Sequence, residues 1–332
     1  MEGAVTLSDI EAARARIAGH VATTPLRPSQ WLGRRHGHPV HMKLETRQVT
    51  GSFKLRGATN AVRSLSDEVR AKGLVTASTG NHGRAVAHAA KEAGTRAVIC
   101  MSALVPSNKV EAIRALGGQV RIVGRSQDDA QLEVERLVRE EGLTQIPPFD
   151  HKDVIAGQGT IGLEIVEAFP EIEAVLIPLS GGGLAAGIAV AVKALRRGAQ
   201  VIGVSMARGA AMQASLAAGG PVEVEEVEEV ETLADSLGGG IGLANRYTYR
   251  LCRELLDDVV LLEEDEIAAG IRHAHEVEGE TVEGGGAVGI GALLAGKIGL
   301  SGPSVVILSG RNIDAALHRD IVEGRAPRKA VG

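Results

Sequence analysis

Aromatic side chains are scarce. The 332 residues include one Trp, two Tyr and three Phe, 2% of the chain. Such a core cannot be built on large rings, so Ala, Val, Leu and Ile must fill it, and the apolar fraction of 44% supplies them. Cysteine is nearly as rare. Cys100 and Cys252 stand far apart with no metal-like spacing, which excludes a disulfide framework and fits a reducing compartment. No apolar run reaches the ~18 residues needed to span a bilayer. The N-terminus lacks a basic stretch followed by an apolar one; Ser8-Asp9-Ile10-Glu11 reads instead as a capping box opening a helix. Basic charge is not in excess either. The net charge of −5 argues against a nucleic-acid or anionic-membrane partner. A cytoplasmic protein is expected.

Glycine is abundant, with 43 residues and no collagen period. The glycines cluster at loops, where backbone turns tightly or approaches a ligand. The length suits two domains. Along most of the chain, apolar runs of strand length alternate with helical patterns, for example 74–77, 96–101 and 119–123, then 174–178, 201–205 and 304–308. That alternation predicts an α/β fold with parallel sheets covered on both faces. Helices are expected near 8–19, 107–116, 127–140, 155–169, 184–195, 247–256, 264–278 and 287–298. The run from Glu223 to Glu231 alternates Val with Glu and reads as a solvated edge strand or hairpin.

Chemistry gathers at four places. Gln48-Val49-Thr50-Gly51-Ser52-Phe53-Lys54-Leu55-Arg56-Gly57-Ala58 joins a strand, Val40 to Glu45, to a helix. A lysine at such a crowded junction loses its proton more readily than a solvated one and can become a nucleophile; a surface lysine in a first helical turn is the alternative. Ser78-Thr79-Gly80-Asn81-His82-Gly83, Ser180-Gly181-Gly182-Gly183 and Ser309-Gly310-Arg311-Asn312 each follow an apolar strand. In open parallel sheets ligands bind at the carboxyl ends of strands, and a helix start there is an anion site. The three glycines suit a phosphate or merely a tight turn. Gly181-x-Gly183-x-x-Ala186 also fits a dinucleotide fingerprint, but the next strand ends Gly203-Val204-Ser205-Met206 without the acid which that reading requires. Asn81 suits a ligand oxygen or a helix cap, and Ser309 a ring nitrogen or a cap.

Taken together, these stretches resemble the fold-type II pyridoxal-phosphate enzymes, in the threonine/serine dehydratase and serine racemase branch. The resemblance runs from Thr24-Pro25-Leu26 to Ser309-Gly310-Arg311-Asn312 and includes Lys43-Leu44-Glu45 and Val154-Ile155-Ala156-Gly157-Gln158-Gly159-Thr160. It implies a tryptophan synthase β-subunit-like fold of two open twisted parallel sheets, with pyridoxal 5'-phosphate in the interdomain cleft. It implies a large domain of residues 1–73 and 151–332, a small mobile domain of 74–150, and a homodimer or larger assembly. Lys54 is the implied Schiff-base residue, with Phe53 near the ring and Asn81 on the 3′-oxygen. Gly181, Gly182, Gly183 and Leu184 would take the phosphate, Ser309 the pyridine nitrogen, and Glu283 would lie near the ring. Ser78, Thr79, Gly80 and His82 would bind the amino-acid substrate.

Departures from the family pattern point to a subfamily. Ser180 replaces the first of four glycines, and Thr79 stands where racemases carry a serine acid/base. Ser205 replaces a Glu that helps hold a cation, so no metal site is expected. Gly284 follows Glu283 where Pro is usual, and Arg311 replaces a glycine. These features look most like the dehydratases assigned to hydroxyectoine utilisation. The implied reaction is loss of water and ammonia from a small β-hydroxy amino acid, with Lys54 and Thr79 as catalytic residues. Alternatives are an amino-acid racemase using Lys54 and Thr79 on opposite faces, or a non-catalytic ligand-binding relative. Asp150, His151 and Lys152 are candidates for a second charged group on the substrate, or solvated loop residues.

Overall fold

The computed structural model describes residues 4–78, 80–105, 107–223 and 232–325. In chain order its strands are β1 (Leu26–Pro28), β2 (Val40–Leu44), β3 (Leu74–Ala77), β4 (Ala97–Met101), β5 (Gln119–Ile122), β6 (Thr144–Gln145), β7 (Ala174–Pro178), β8 (Gln200–Met206), β9 (Asp258–Leu262) and β10 (Ser304–Leu308). They form a six-stranded sheet, β1-β2-β10-β7-β8-β9, and a four-stranded sheet, β5-β4-β3-β6. β1 pairs antiparallel with β2, and the other pairings are parallel.

β4, β7 and β10 are buried at every position. That is the continuous apolar run of a strand covered on both faces. Successive side chains enter opposite cores. Val175, Ile177, Val305 and Ile307 pack under the helices Lys152–Ala168 and Gly183–Leu195. Ala174, Leu176, Val306 and Leu308 pack under Glu264–Glu276 and Gly284–Leu294. A third core lies against the smaller sheet. It joins Leu74, Ile99 and Met101 to Val86 of the helix Asn81–Glu92 and to Leu55, Ala58, Ala61 and Val62 of the helix Lys54–Ser64. The Lys54 helix, which a boundary at 73/74 would assign to the larger unit alone, therefore packs its apolar face with the smaller sheet.

Some elements differ from the sequence expectation. β9 occupies Asp258–Leu262, a short apolar edge run between two helices that periodicity alone does not separate from a loop. The helix expected from Ala287 begins at Gly284. A Cβ at Gly284 would lie 1.9 Å from the Leu233 carbonyl oxygen, so packing against a neighbouring loop decides what propensity would not. The Val–Glu alternation, beyond Glu223, lies outside the described residues. No helix among the described residues is long and apolar enough to cross a membrane.

Candidate active site

β2, β10 and β7 are neighbours, and their carboxyl ends carry three of the four loops. The Lys54 loop and the Ser309 loop are laced together. Ser52 bridges Gly310, Phe53 N donates to Ser309 O at 3.0 Å, and Arg311 N donates to Gly51 O at 2.9 Å. Lys54 begins the helix Lys54–Ser64, and its half-buried Nζ donates to Pro148 O at 2.7 Å. Burial pushes this amine down to about 8, with the nearby Glu283 carboxylate opposing the shift. Nζ lies 5.4 Å from the Phe53 ring centroid.

The glycine loop follows β7. Gly182 has φ +87°, and a Cβ there would lie 2.7 Å from Met212 Cε; one on Gly181 would enter the Phe149 ring at 2.4 Å. Side chains are thus excluded from the loop by its packing as well as by its turn. It feeds the helix Gly183–Leu195, whose start no side chain caps. The free amides and the helix dipole make that start an anion site. Leu184 points into the core, so only its backbone faces the loop.

Glu283 is a hub beside the Ser309 loop, its N donating to Gly310 O at 3.1 Å. It is 5% exposed. Its Oε1 accepts from Asn81 Nδ2 at 2.6 Å and its Oε2 from Asn312 N at 3.1 Å. Asn312 Nδ2 donates to Asn81 Oδ1 at 2.5 Å and to Thr50 O at 2.9 Å, and Arg84 Nη1 donates to Asn312 Oδ1 at 3.1 Å. Burial, with Asp235 adding repulsion, pushes the Glu283 carboxyl up to about 7; bonds from Asn81, Asn312 and Ser236 oppose this. The larger sheet's Glu283 and Asn312 thereby meet the smaller sheet's Asn81 and Arg84.

Structure brings Phe53, Lys54, Asn81, Glu283 and Ser309 into one region. Thr79 lies outside the described residues. His82 is 3% exposed, and its Nε2 meets Ile146 O at 2.8 Å. Burial, with the Lys54 charge adding to it, pushes His82 down to about 3, so it is neutral. Ser78 Oγ accepts from Gly83 N at 3.2 Å, and Gly80 precedes the helix start at Asn81. Asp150 is a helix cap: its carboxylate accepts from Arg246 N, Tyr247 N and Thr248 N at 2.6, 2.8 and 2.9 Å. His151 caps the helix Lys152–Ala168, and Lys152 pairs with Asp9 at 3.1 Å. Ser205 is buried on β8. Sequence reasoning missed Asn312 and Arg84 as network members. Arg84 lies one turn after Asn81 on one helix face, a spacing that could have been read.

The residues present suit a phosphorylated aldehyde cofactor. An amine with lowered proton affinity, an uncapped helix start and a hydroxyl at Ser309 stand at one sheet edge. Ser52 Oγ, two residues before Lys54, is buried without a hydrogen-bond partner.

Comparison with known proteins agrees. The profile of the "Pyridoxal-phosphate dependent enzyme" family matches residues 17–310. A Sinorhizobium fredii protein provisionally named a threonine dehydratase is 63% identical over 321 residues, covering 96% of each chain. The L-threonine ammonia-lyase of Thermotoga maritima is 40% identical over 319 residues, covering 96% of this chain and 78% of that one. Maize serine racemase superposes with a TM-score of 0.90 at 33% identity, covering 97% of this chain and 98% of that one. The chain belongs to the pyridoxal-phosphate dependent enzymes and has the fold-type II architecture. Its cofactor is pyridoxal 5'-phosphate.

Proposed function

We propose that the chain is a threonine dehydratase-like ammonia-lyase acting on a small β-hydroxy amino acid. The observation that carries this reading is the Lys54 amine, lowered to about 8, at a sheet edge shared with a glycine loop and Ser309. Two named relatives of high coverage support the reaction type: a provisional threonine dehydratase and an L-threonine ammonia-lyase. When bound, the cofactor supplies an electron sink for a carbanion at the substrate α-carbon. Lys54 would hold the cofactor at rest and, once displaced by the substrate amine, take the α-proton at Nζ; a base near neutrality suits this task. The amides of Gly181, Gly182, Gly183 and Leu184 would hold the phosphate. Asn81, kept in place by Glu283 and Asn312, would orient toward the ring oxygen, and Ser309 toward the ring nitrogen. A neutral hydroxyl there, rather than a carboxylate, limits carbanion lifetime and favours prompt loss of the β-hydroxyl. The net reaction loses water across Cα–Cβ, and hydrolysis then gives a 2-oxo acid and ammonia.

Threonine and serine are the first substrates to test. The departures at Thr79, Ser205, Gly284 and Arg311 motivate a finer reading, a substrate derived from hydroxyectoine. The likeness to maize serine racemase motivates a second activity, racemisation, with Thr79 as the opposing acid/base. We further propose a homodimeric, cytoplasmic protein whose smaller sheet closes over substrate. Release of ammonia and oxo acid from a panel of β-hydroxy amino acids, run beside a chirality assay, tests these readings. Ammonia from threonine or serine supports the lyase. Inversion without ammonia would replace it with the racemase, and neither product from any substrate would refute both.

A further inference from the structure

Beneath Lys54 lies a set of buried charges that the proposed chemistry does not use. Arg56 is 1% exposed. Its Nε and Nη2 donate to Glu45 Oε2 and Oε1, both at 2.9 Å. Its Nη1 and Nη2 donate to Glu164 Oε1 and Oε2 at 2.6 and 2.8 Å. Thr160 Oγ1 at 3.1 Å and the Ala22 carbonyl at 3.2 Å accept further bonds. Lys43 Nζ donates to Glu164 Oε2 at 2.5 Å and to Thr24 O at 2.6 Å, and Thr24 Oγ1 donates to Glu45 Oε1 at 2.5 Å. Two cations and two carboxylates thus cancel formally. A buried ion network of this kind seldom stabilises a fold more than apolar side chains of the same volume would. Fixed geometry is a better account of it than stability.

Its location shows what is fixed. Arg56 stands two residues after Lys54, in the same helical turn. Its partners come from the residue that follows β2, from the helix Lys152–Ala168 and from the segment at Ala22, which belong with the larger sheet. The same helix also packs Leu55, Ala58, Ala61 and Val62 with the smaller sheet, while its Gly57 N donates to Gln158 Oε1 at 3.1 Å and its Asn60 Nδ2 to Asp153 O at 2.7 Å on the helix Lys152–Ala168. The Lys54 helix thus lies between the two sheets, and the Arg56 forks are the charged part of what ties its first turn to the larger one. We propose that Arg56 is a positioning residue for Lys54: its forks to Glu45 and Glu164 lock the reactive amine to the sheet that carries the glycine loop and Ser309. The proposal rests on the reading of Lys54 as the cofactor-bearing amine. The planar guanidinium is required, because an ammonium cannot present paired donors to two carboxylates at once.

The test compares wild type, Arg56→Lys and Ile271→Ala, each reconstituted with pyridoxal 5'-phosphate. Ile271 is fully buried in the core on the far side of the larger sheet, so its truncation destabilises without touching the network. Melting temperature, visible circular dichroism per bound cofactor, kcat and KM are measured. For Arg56→Lys, kcat is expected to fall about tenfold to a hundredfold with KM within about threefold, and the visible dichroism to drop to below about half, as misplacing one reacting group does. Ile271→Ala should lower the melting temperature while keeping both signals. Wild-type kcat and dichroism in Arg56→Lys would overturn the proposal, as would losses that track melting temperature in both variants. If Arg56→Lys does not fold, Glu164→Gln, which leaves the Glu45 fork intact, should show smaller losses in the same direction; no loss would overturn it. A wild type that gains no visible band refutes the functional reading itself, whereas a normal wild-type band with an unaffected Arg56→Lys refutes this inference alone.

Discussion

Two buried carboxylates flank the Lys54 helix, and their surroundings are opposite. Burial pushes Glu45 up, but the Arg56 guanidinium, the Thr24 hydroxyl and the Lys43 charge together more than offset it, and the carboxyl ends below its ordinary value. Glu283 is buried almost as fully, yet its partners are amides and a hydroxyl, and burial pushes it up to about 7. One carboxylate is locked in a closed charge network, while the other titrates near neutrality where the two sheets meet. A buried acid paired with a cation holds a structure, whereas one given only neutral donors stays responsive to its environment.

The largest effect expected on this contrast lies between the two acids, at the amine. Lys54→Ala should lower turnover by about 10³-fold or more while leaving the melting temperature nearly unchanged, since it removes the base and little packing. Steady-state kinetics beside a thermal melt checks this. Next is Glu45→Gln. It leaves Arg56 short of a charge partner inside the core and should cost about 3–5 kcal/mol in denaturant unfolding.

Glu283→Gln should behave differently. Raising a carboxyl from 4.5 to about 7 on folding makes stability highest below pH 4.5 and progressively lost as pH rises through 7. At 1.36 kcal/mol per unit, the loss from this one group is about 3 kcal/mol. Glu283→Gln should flatten that slope, seen as chemical denaturation repeated from pH 4.5 to 8. An unchanged slope would remove the contrast between the two acids. The smallest effect is expected at Asp150→Ala, which uncaps the helix Thr248–Leu255 and should cost about 1 kcal/mol with KM intact. A raised KM would mark Asp150 as a substrate contact as well as a cap.

Much of this was legible from residue order. Strands such as 174–178 and 304–308 announce themselves because fully buried parallel strands are uninterrupted apolar runs, and the loops at 78–83, 180–183 and 309–312 follow fully buried strands. What could not be read depends on contacts distant in sequence. Glu283 and Asn312 meet Asn81 across about two hundred residues, and the helix start at Gly284 is set by a loop 51 residues earlier. The Arg56 network was visible as residues, in Lys43, Glu45 and Arg56. Its closure needed Glu164, which looks like an ordinary helix-surface acid in the sequence. The capping role of Asp150 was hidden for the same reason, because its partners are backbone amides nearly a hundred residues away.

The most direct measurement is borohydride reduction of the cofactor-loaded protein, followed by peptide mass mapping. The reduced cofactor is expected on the peptide that contains Lys54. Its recovery on another lysine, such as the buried Lys43, or on no peptide at all, would contradict the assignment of Lys54 as the reactive amine.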